Sequence, residues 1–341
     1  MAMLRYLVTG ATGFLGSHLA RALLERGHQV VALCRHDEPE LEDAGVIVKA
    51  GDVLDGASVR SAADGCVGLF HCAGRVSRKP EDAEELYRVH VEGTKTTLDA
   101  AREAGVPRIV VASSSGTVAV SDDPDHIATE DDEAPIGLIA RWPYYRAKLF
   151  AEKAALERNA PGMSVVSVNP TLLLGPGDER GSSTEDVRLF LERRIPAIPS
   201  GGLSYVDVRD AAEGMCLAME HGAAGRRYLI GACNVTLSEF FARLARVSGV
   251  RAPFARMPRV PVLARWGAKY LEWAAGTLGL AMPVDPVSLD MAQYYWYLDA
   301  SRAESELGWS PRDPIATLAD TVKDLRARGV VWPAPLEATA P

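Results

Sequence analysis

Long apolar runs, paired cysteines and blocks of positive charge are absent from this sequence. No apolar run reaches the roughly 20 residues of a membrane-spanning helix, and we expect no secretory signal peptide at the N-terminus. The five cysteines are an odd number and include no Cys-x-x-Cys pair; they are Cys34, Cys66, Cys72, Cys216 and Cys233. Such cysteines offer no metal site and are typical of a reducing cytoplasm, where we expect this protein to reside.

Basic residues are fewer than acidic ones. Lysine and arginine number 37 against 45 aspartates and glutamates, which gives a formal net charge of −8. This balance argues against nucleic acid as the main partner, and we expect a small-molecule substrate and no membrane contact. The chain has 341 residues, 48% of them hydrophobic, so it can form one large or two modest globular domains.

A glycine-rich turn near the N-terminus organises the rest of the chain. Thr9-Gly10-Ala11-Thr12-Gly13-Phe14-Leu15-Gly16 follows the apolar run 6–8 and precedes a helical pattern. A strand, a glycine turn and a helix in this order are the context of a dinucleotide site. Gly10 permits the tight turn, Gly13 lets the backbone approach a pyrophosphate, and Gly16 lets the helix lie close to the strand. The phosphates would lie at the positive end of that helix; the alternative is an ordinary surface turn.

Strand and helix patterns alternate after this turn. This alternation predicts an α/β fold with a doubly wound parallel sheet of the Rossmann type, covered by helices on both faces. We place the dinucleotide-binding domain in residues 1–170, with returning strands at 204–210 and 227–230, and a smaller substrate-binding region in 171–335. The other predicted strands are 6–8, 29–33, 46–48, 67–71, 108–112 and 165–168, and the main helices are 82–104 and 143–158.

Two residues of the second long helix could carry acid–base chemistry. Tyr144 and Lys148 are four apart, so both project from one face of the helix. An ammonium group near a phenol lowers the phenol's pKa, and such a tyrosine can exchange a proton with a carbonyl or alcohol oxygen. Tyr145 lacks this partner because Leu149 stands four residues beyond it. The alternative is a solvated helix edge without catalytic function.

Serines follow the fifth predicted strand, at the sheet edge where doubly wound folds bind ligands. The run is Ser113-Ser114-Ser115. A serine hydroxyl at this edge can donate a hydrogen bond to a developing oxyanion. The run could instead simply cap the strand and begin a turn.

Three motifs together match the pattern of a known family: the Gly-x-x-Gly-x-x-Gly spacing with Thr9 and Thr12, the serine run, and Pro143-Tyr144 followed by Lys148. With these motifs the chain resembles the extended short-chain dehydrogenase/reductase family. The resemblance covers nearly the whole chain. Within the family, the chain is similar in particular to dihydroflavonol reductases, 3β-hydroxysteroid dehydrogenases and hopanoid-associated sugar epimerases. It implies that Ser115, Tyr144 and Lys148 are catalytic, with Ser114 as the second choice for the serine.

Other stretches match the same family and imply cofactor contacts. Asp52 and Val53 resemble the segment near the adenine, and Cys72-Ala73-Gly74 the segment passing under the cofactor. Asn169-Pro170, followed by residues 175–178, resembles the segment beside the nicotinamide. The resemblance also implies that Lys148 holds a ribose hydroxyl and that the protein is a homodimer, formed through the helices at 82–104 and 142–158.

Two positions depart from the family's pattern. His90 stands where the family usually carries an asparagine that orders a water in the proton relay. His90 either replaces that asparagine or is an ordinary helix histidine. Ala147 occupies a position where many members have serine, and we expect this change to be tolerated.

The end of the second strand bears on the choice of cofactor. NAD-preferring sites place a carboxylate there to accept hydrogen bonds from the ribose 2′-hydroxyl. Here the positions are Cys34 and Arg35, whereas Asp37 lies beyond the strand. A guanidinium group suits a 2′-phosphate. We therefore expect NADP(H), with NAD as the second choice; the alternative is that Arg35 is a solvated loop charge.

Three functions fit these motifs. The first is a carbonyl reductase or alcohol dehydrogenase that uses Tyr144 as acid or base. The second is a sugar-nucleotide epimerase, although such enzymes mostly use NAD, and the third is a non-catalytic NADP-binding regulator. A dehydratase is disfavoured because Gly116-Thr117, rather than an acidic pair, follows Ser115.

Aromatic and leucine residues are dense between residues 253 and 297. They would line an apolar substrate pocket, or else form the core of the smaller region or a dimer surface. The set is Trp266, Tyr270, Trp273, Tyr294, Tyr295, Trp296 and Tyr297, with Leu263, Leu271, Leu278 and Leu280.

Overall fold

Seven parallel strands form the central sheet of the computed structural model, which describes residues 2–257 and 286–331. The sheet order is β10-β6-β5-β4-β1-β2-β3, and it confirms the predicted doubly wound fold. The strands are β1 (Arg5–Thr9), β2 (Gln29–Cys34), β3 (Ile47–Ala50), β4 (Gly68–His71), β5 (Arg108–Ala112), β6 (Ser164–Pro170), β7 (Leu172–Leu174), β8 (Ala197–Ile198), β9 (Gly202–Asp207), β10 (Arg227–Ile230), β11 (Cys233–Thr236) and β12 (Ala255–Arg256).

Helices connect these strands. They are α1 (Phe14–Glu25), α2 (Pro39–Asp43), α3 (Gly56–Ala63), α4 (Ala83–Tyr87), α5 (Gly93–Glu103), α6 (Ile136–Ile139), α7 (Pro143–Leu156), α8 (Glu185–Leu191), α9 (Val208–His221) and α10 (Leu237–Ser248), followed by Pro286–Met291 and Pro314–Ala327. A π-helical turn, Arg88–Glu92, joins α4 to α5. A 3₁₀ turn, Ser115–Thr117, follows β5.

Alternate side chains of each central strand enter two separate cores. On β1, Val8 packs into the core that contains Leu19 of α1 and Met215 of α9. Leu7 packs into the opposite core, with Val59 of α3. Because both faces of a parallel sheet are covered by helices, its strands read as continuous apolar runs in the sequence.

The prediction for the returning strands was right for one and wrong for the other. Residues 227–230 form β10, which pairs with β6 in the central sheet. Residues 202–207 form β9, which instead pairs with β7 and β11 in a second sheet of three strands. The predicted strand at 204–210 also ends early, because the side chain of Asp207 accepts a hydrogen bond from the backbone N–H of Arg209 and begins α9.

The second sheet belongs to a smaller apolar core. Phe190 of α8, Tyr205 of β9, Phe240 of α10 and Leu318 of the helix Pro314–Ala327 are buried there. A capping box between Thr236 and Glu239 begins α10.

The aromatic-rich segment is only partly described. Tyr294 and Trp296 pack with buried Trp142 and Ile139 in a fourth cluster. Trp266, Tyr270 and Trp273 lie outside the described residues, as do Leu263, Leu271, Leu278 and Leu280.

The helices of the described ranges are short. The longest of them, α7, α9 and Pro314–Ala327, have 14 residues each. A membrane-spanning helix needs about 20 apolar residues. Within residues 2–257 and 286–331, therefore, no helix is long and apolar enough to span a membrane.

Candidate active site

One large cleft opens at the carboxyl ends of the central strands. Its volume is about 2060 Å³, and its lining runs from the glycine turn to β9 and α10 of the smaller core. A pocket for a single small molecule is typically about 300–1,000 Å³. The cleft is therefore large enough for a dinucleotide together with a second small molecule.

The glycine turn forms one wall of the cleft. Gly10 has a φ of +75°, and a Cβ there would lie 2.6 Å from the backbone nitrogen of Ala73. A Cβ on Gly16 would lie 2.1 Å from the carbonyl oxygen of Gly10. Neither position can accept a side chain without moving the backbone, so α1 and β4 approach the turn as closely as a dinucleotide fold requires.

The start of α1 fits a pyrophosphate group. Gly13, its N-cap residue, makes no side-chain cap, and the first turn contains no acidic residue. Phe14, Leu15 and Gly16 of this turn line the cleft, as do Thr12 and Gly13. Because the first N–H groups of a helix have no partner within the helix, they are available to an anion.

Thr9 does not line the cleft, contrary to the prediction that it contacts the cofactor. It is the last residue of β1 and is fully buried, and its hydroxyl lies 2.8 Å from Nδ1 of His71. Nε2 of His71 in turn lies 3.0 Å from the hydroxyl of Thr94. Thr9 thus supports the turn from behind. Burial lowers the pKa of His71 to about 3, so this histidine is neutral.

The other predicted cofactor residues line the cleft: Arg35, Asp52, Val53, Cys72, Ala73, Gly74 and Pro170. Arg35 follows β2 and is exposed to solvent. Glu38 also lines this end of the cleft, so a carboxylate accompanies the guanidinium there. Asp37 is not among the lining residues.

The three serines after β5 have different surroundings. Ser113 donates to Glu152, and the hydroxyl of Ser114 accepts a hydrogen bond of 3.3 Å from the backbone N–H of Gly116. Ser115 is 5% exposed and lines the cleft at the start of the 3₁₀ turn. Since Ser113 and Ser114 have local structural roles, Ser115 is the better candidate for contact with a substrate.

Glu152 was missed in the sequence, although its four-residue spacing from Lys148 places it on the same helix face. Only 2% of its surface is exposed. Its Oε2 accepts three hydrogen bonds, from the hydroxyl of Ser113, from the hydroxyl of Thr117 at 3.1 Å and from the side-chain amide of Asn169. Its Oε1 lies 3.0 Å from Nε of Arg227 and forms an ion pair with that residue. The carboxylate therefore joins α7 to the serine turn and to strands β6 and β10.

Lys148 is directed at the end of β5. Its ammonium group donates a hydrogen bond of 2.8 Å to the carbonyl oxygen of Ala112. Burial lowers the pKa of Lys148 to about 8, with the nearby Cys72 and Glu152 acting in the opposite direction.

Tyr144 lines the cleft and lies on α7, as Lys148 does. Its ring meets the rings of His90 and Tyr145 edge-on, with distances between ring centroids of 5.7 Å and 5.1 Å. The expectation that Lys148 lowers the pKa of Tyr144 is not supported. Burial raises the pKa of this phenol, and Tyr145 adds to the increase. Desolvation disfavours the phenolate, so Tyr144 is protonated at neutral pH.

Tyr145 forms part of an aromatic wall. Its ring lies 4.9 Å from that of Trp296 and 6.2 Å from that of Trp142, and all three residues line the cleft. A Cβ on Gly116 would lie 2.2 Å from the Tyr145 ring, so only glycine leaves room for it. Tyr145 is thus a packing residue beside Tyr144.

His90 lies in the π-helical turn and lines the cleft. Its Nε2 is 2.8 Å from the carbonyl oxygen of Arg75 and 3.3 Å from that residue's nitrogen, and the shorter contact favours the Nε2–H tautomer. Burial lowers its pKa to about 3, so the ring is neutral and Nδ1 carries a lone pair. A Cβ on Gly74 would lie 2.6 Å from the ring, which explains the glycine there.

Comparison with known proteins yields consistent matches. The model of the NAD dependent epimerase/dehydratase family matches residues 6–231. A Synechocystis protein named "Putative dihydroflavonol 4-reductase" is 35% identical over 96% of this chain and 96% of its own. Sterol demethylase protein B of Methylococcus capsulatus is 32% identical over 95% of this chain and 99% of its own. The crystal structure of gox2253 superposes with a TM-score of 0.82 at 29% identity, covering 96% and 99% of the two chains.

We predict that Glu152→Ala lowers the free energy of unfolding by about 3 kcal/mol, because it leaves a partly buried cation and three hydrogen-bond donors without their acceptor. Arg227 retains 23% side-chain exposure, which limits the penalty. Urea denaturation of the purified protein measures the effect. Glu157→Ala is the matched control, since Glu157 is exposed near the end of the same helix. Equal stability of the two variants would contradict the role assigned to Glu152.

Proposed function

The chain belongs to the NAD-dependent epimerase/dehydratase family and is an enzyme of the extended short-chain dehydrogenase/reductase type, and from this premise we propose that it is an NADP(H)-dependent oxidoreductase. It would transfer a hydride to or from the carbonyl or alcohol carbon of an apolar small molecule. The observation that carries the proposal is that Ser115, Tyr144 and Lys148 line the same cleft as the glycine turn. When bound, the nicotinamide would supply or accept the hydride.

Tyr144 would be the proton donor. The phenol is protonated at neutral pH, and donation to a carbonyl oxygen requires that form. The hydroxyl of Ser115 would donate a hydrogen bond to the same oxygen. Oxidation of an alcohol would instead need the phenolate, which burial disfavours.

Lys148 would have a positioning role. Its hydrogen bond to the carbonyl of Ala112 anchors α7 to the end of β5. With a pKa of about 8 it is mostly protonated at neutral pH, and its charge would then act on the cofactor ribose. Thr12, Gly13, Asp52, Val53 and Ala73 would surround the remaining cofactor.

The cleft's far wall supports an apolar, ring-containing substrate. Trp142, Tyr145 and Trp296 lie there, with Met291 and Phe240 also on the lining. Such walls bind ligands mainly through buried apolar area. The names of the two relatives, a dihydroflavonol reductase and a sterol demethylase protein, agree with this substrate class.

An epimerase acting on sugar nucleotides is the second candidate, because the matching family includes epimerases. It would hold its cofactor through a complete oxidation and reduction cycle. Arg35 at the adenosine end disfavours it, since such enzymes mostly use NAD. A non-catalytic regulator is disfavoured because the Ser115, Tyr144 and Lys148 set is intact.

We further propose the division into a dinucleotide-binding domain, 1–170, and a substrate-binding region, 171–335, in a cytoplasmic homodimer. The helices 82–104 and 142–158 would form the dimer interface. Exposed Tyr87 of α4 and Phe150 of α7 support this choice, with 45% and 47% of their surfaces accessible.

We predict that NADPH is consumed with apolar cyclic ketones or aldehydes and not with sugar nucleotides. The aromatic wall provides buried area for rings, whereas a sugar nucleotide needs polar partners for its diphosphate. A spectrophotometric NADPH-oxidation screen over the three substrate classes tests this. Interconversion of sugar nucleotides without net NADPH consumption would instead support the epimerase.

Tyr144→Phe is expected to lower kcat by about 10²- to 10⁴-fold, the usual contribution of general acid–base catalysis. Cofactor affinity should change little, because the ring is retained. Steady-state kinetics and NADPH titration measure the two effects separately. Tyr145→Phe keeps the contacts with Trp142 and Trp296 and should cost much less. Comparable turnover in the Tyr144→Phe variant and the wild type would place the proton donor elsewhere.

Arg35→Ala should weaken NADPH binding by about 10- to 150-fold, the value of a charge-assisted hydrogen bond of roughly 1.5–3 kcal/mol. NADH carries no 2′-phosphate, so its affinity should hardly change. Fluorescence titration of both cofactors against the wild type and the variant decides the matter. Adding Cys34→Asp should improve NADH binding, since a carboxylate accepts from the ribose hydroxyls. Tighter wild-type binding of NADH than of NADPH would refute the NADP assignment.

A further inference from the structure

A loop from the smaller region crosses towards the glycine turn. It comprises residues 175–184, between β7 and α8. Asp178 in this loop is 2% exposed. Its carboxylate accepts hydrogen bonds of 2.8 to 3.0 Å from Ser182, Ser183 and Thr184. These bonds give the loop a defined conformation of its own.

The same loop is attached to α1. Nε2 of His18 lies 2.9 Å from the carbonyl oxygen of Pro176. Nη2 of Arg180 donates to the hydroxyl of Thr12, in the glycine turn, at 3.4 Å. Arg180 also lines the cleft. The loop therefore brings a guanidinium group to the point where the start of α1 offers its N–H groups.

The charge of Arg180 is available there. Within residues 2–257 and 286–331, no carboxylate forms an ion pair with it. The first turn of α1 contributes no acidic residue. The neighbouring Glu179 lines the cleft as well, so the loop carries one charge of each sign. A guanidinium with five donors and no carboxylate partner beside a helix start is suited to a phosphate group.

We propose that Arg180 binds the diphosphate of the nicotinamide cofactor, together with the backbone N–H groups of the glycine turn. This inference rests on the proposed function, because it concerns the same cofactor. Arg180 lies in the loop between β7 and α8, so this cofactor contact comes from outside the glycine-turn motif. Since NADPH and NADH share the diphosphate, Arg180 contributes affinity for both and does not discriminate between them.

The test uses three ligands and the full-length protein. NADPH and NADH both contain the diphosphate, whereas adenosine 2′-monophosphate has the 2′-phosphate and no diphosphate. Arg180→Ala should weaken NADPH and NADH by similar factors of about 5- to 30-fold. This range extends below that expected for a charge-assisted hydrogen bond, because the side chain is solvent exposed and its charge is screened by water. The affinity for adenosine 2′-monophosphate should be unchanged.

Three further variants complete the test. Arg35→Ala should give the opposite pattern, with weaker binding of NADPH and adenosine 2′-monophosphate and unchanged NADH. Glu179→Gln alters a charge in the same loop and should not weaken any of the three ligands. Arg180→Lys should recover part of the loss, because it restores the charge without the planar fork. Dissociation constants from isothermal titration calorimetry measure all these variants.

Wild-type affinity of Arg180→Ala for both dinucleotides would overturn the inference and leave the proposed function standing. A loss that extends equally to adenosine 2′-monophosphate would also overturn it, since Arg180 would then support the cleft as a whole. A wild-type protein that binds neither dinucleotide would refute the proposed function and this inference together.

Discussion

The carboxylate of Glu152 is buried in the protein interior, where an ionised group is stable only if it is paired and hydrogen-bonded. Its partners come from the serine turn, from β6 and from β10, while Glu152 itself belongs to α7. All of these elements must therefore meet in one arrangement. That arrangement sets the position of Ser115 relative to Lys148 and Tyr144, which lie one and two turns before Glu152 on the same helix. The arrangement of these candidate residues thus depends on a residue that does not itself line the cleft.

Burial also decides the protonation states of groups in the cleft and directly behind it. The neutral forms of Tyr144, His90 and His71 are favoured because desolvation penalises their charged forms. Lys148 is affected in the same sense, but Cys72 and Glu152 partly offset the loss. Tyr144 is thus a neutral phenol on the same helix as the buried Lys148 and next to an aromatic wall.

Helix α1 and the loop 175–184 meet at the glycine turn from different parts of the chain. The glycines allow a close approach of backbone to backbone, as the positions of Gly10 and Gly16 require. The hydrogen bond between His18 and Pro176 then connects the two halves of the cleft. A cofactor at this turn would contact both the nucleotide-binding sheet and the smaller region. Cofactor binding and the shape of the substrate pocket are therefore physically connected.

Local pattern alone was sufficient for the central strands, for the glycine turn and for the spacing of Tyr144 and Lys148. These features depend on periodicity and on short-range geometry, which neighbouring residues determine. The direction of the pKa shift of Tyr144 was not accessible, because spacing along a helix does not report how much water reaches the phenol. The inward orientation of Thr9, the pairing of β9 in a second sheet and the partners of Glu152 were also decided by contacts between distant segments. Tertiary packing alone brings those segments together, and with them the burial that sets the chemistry of the cleft.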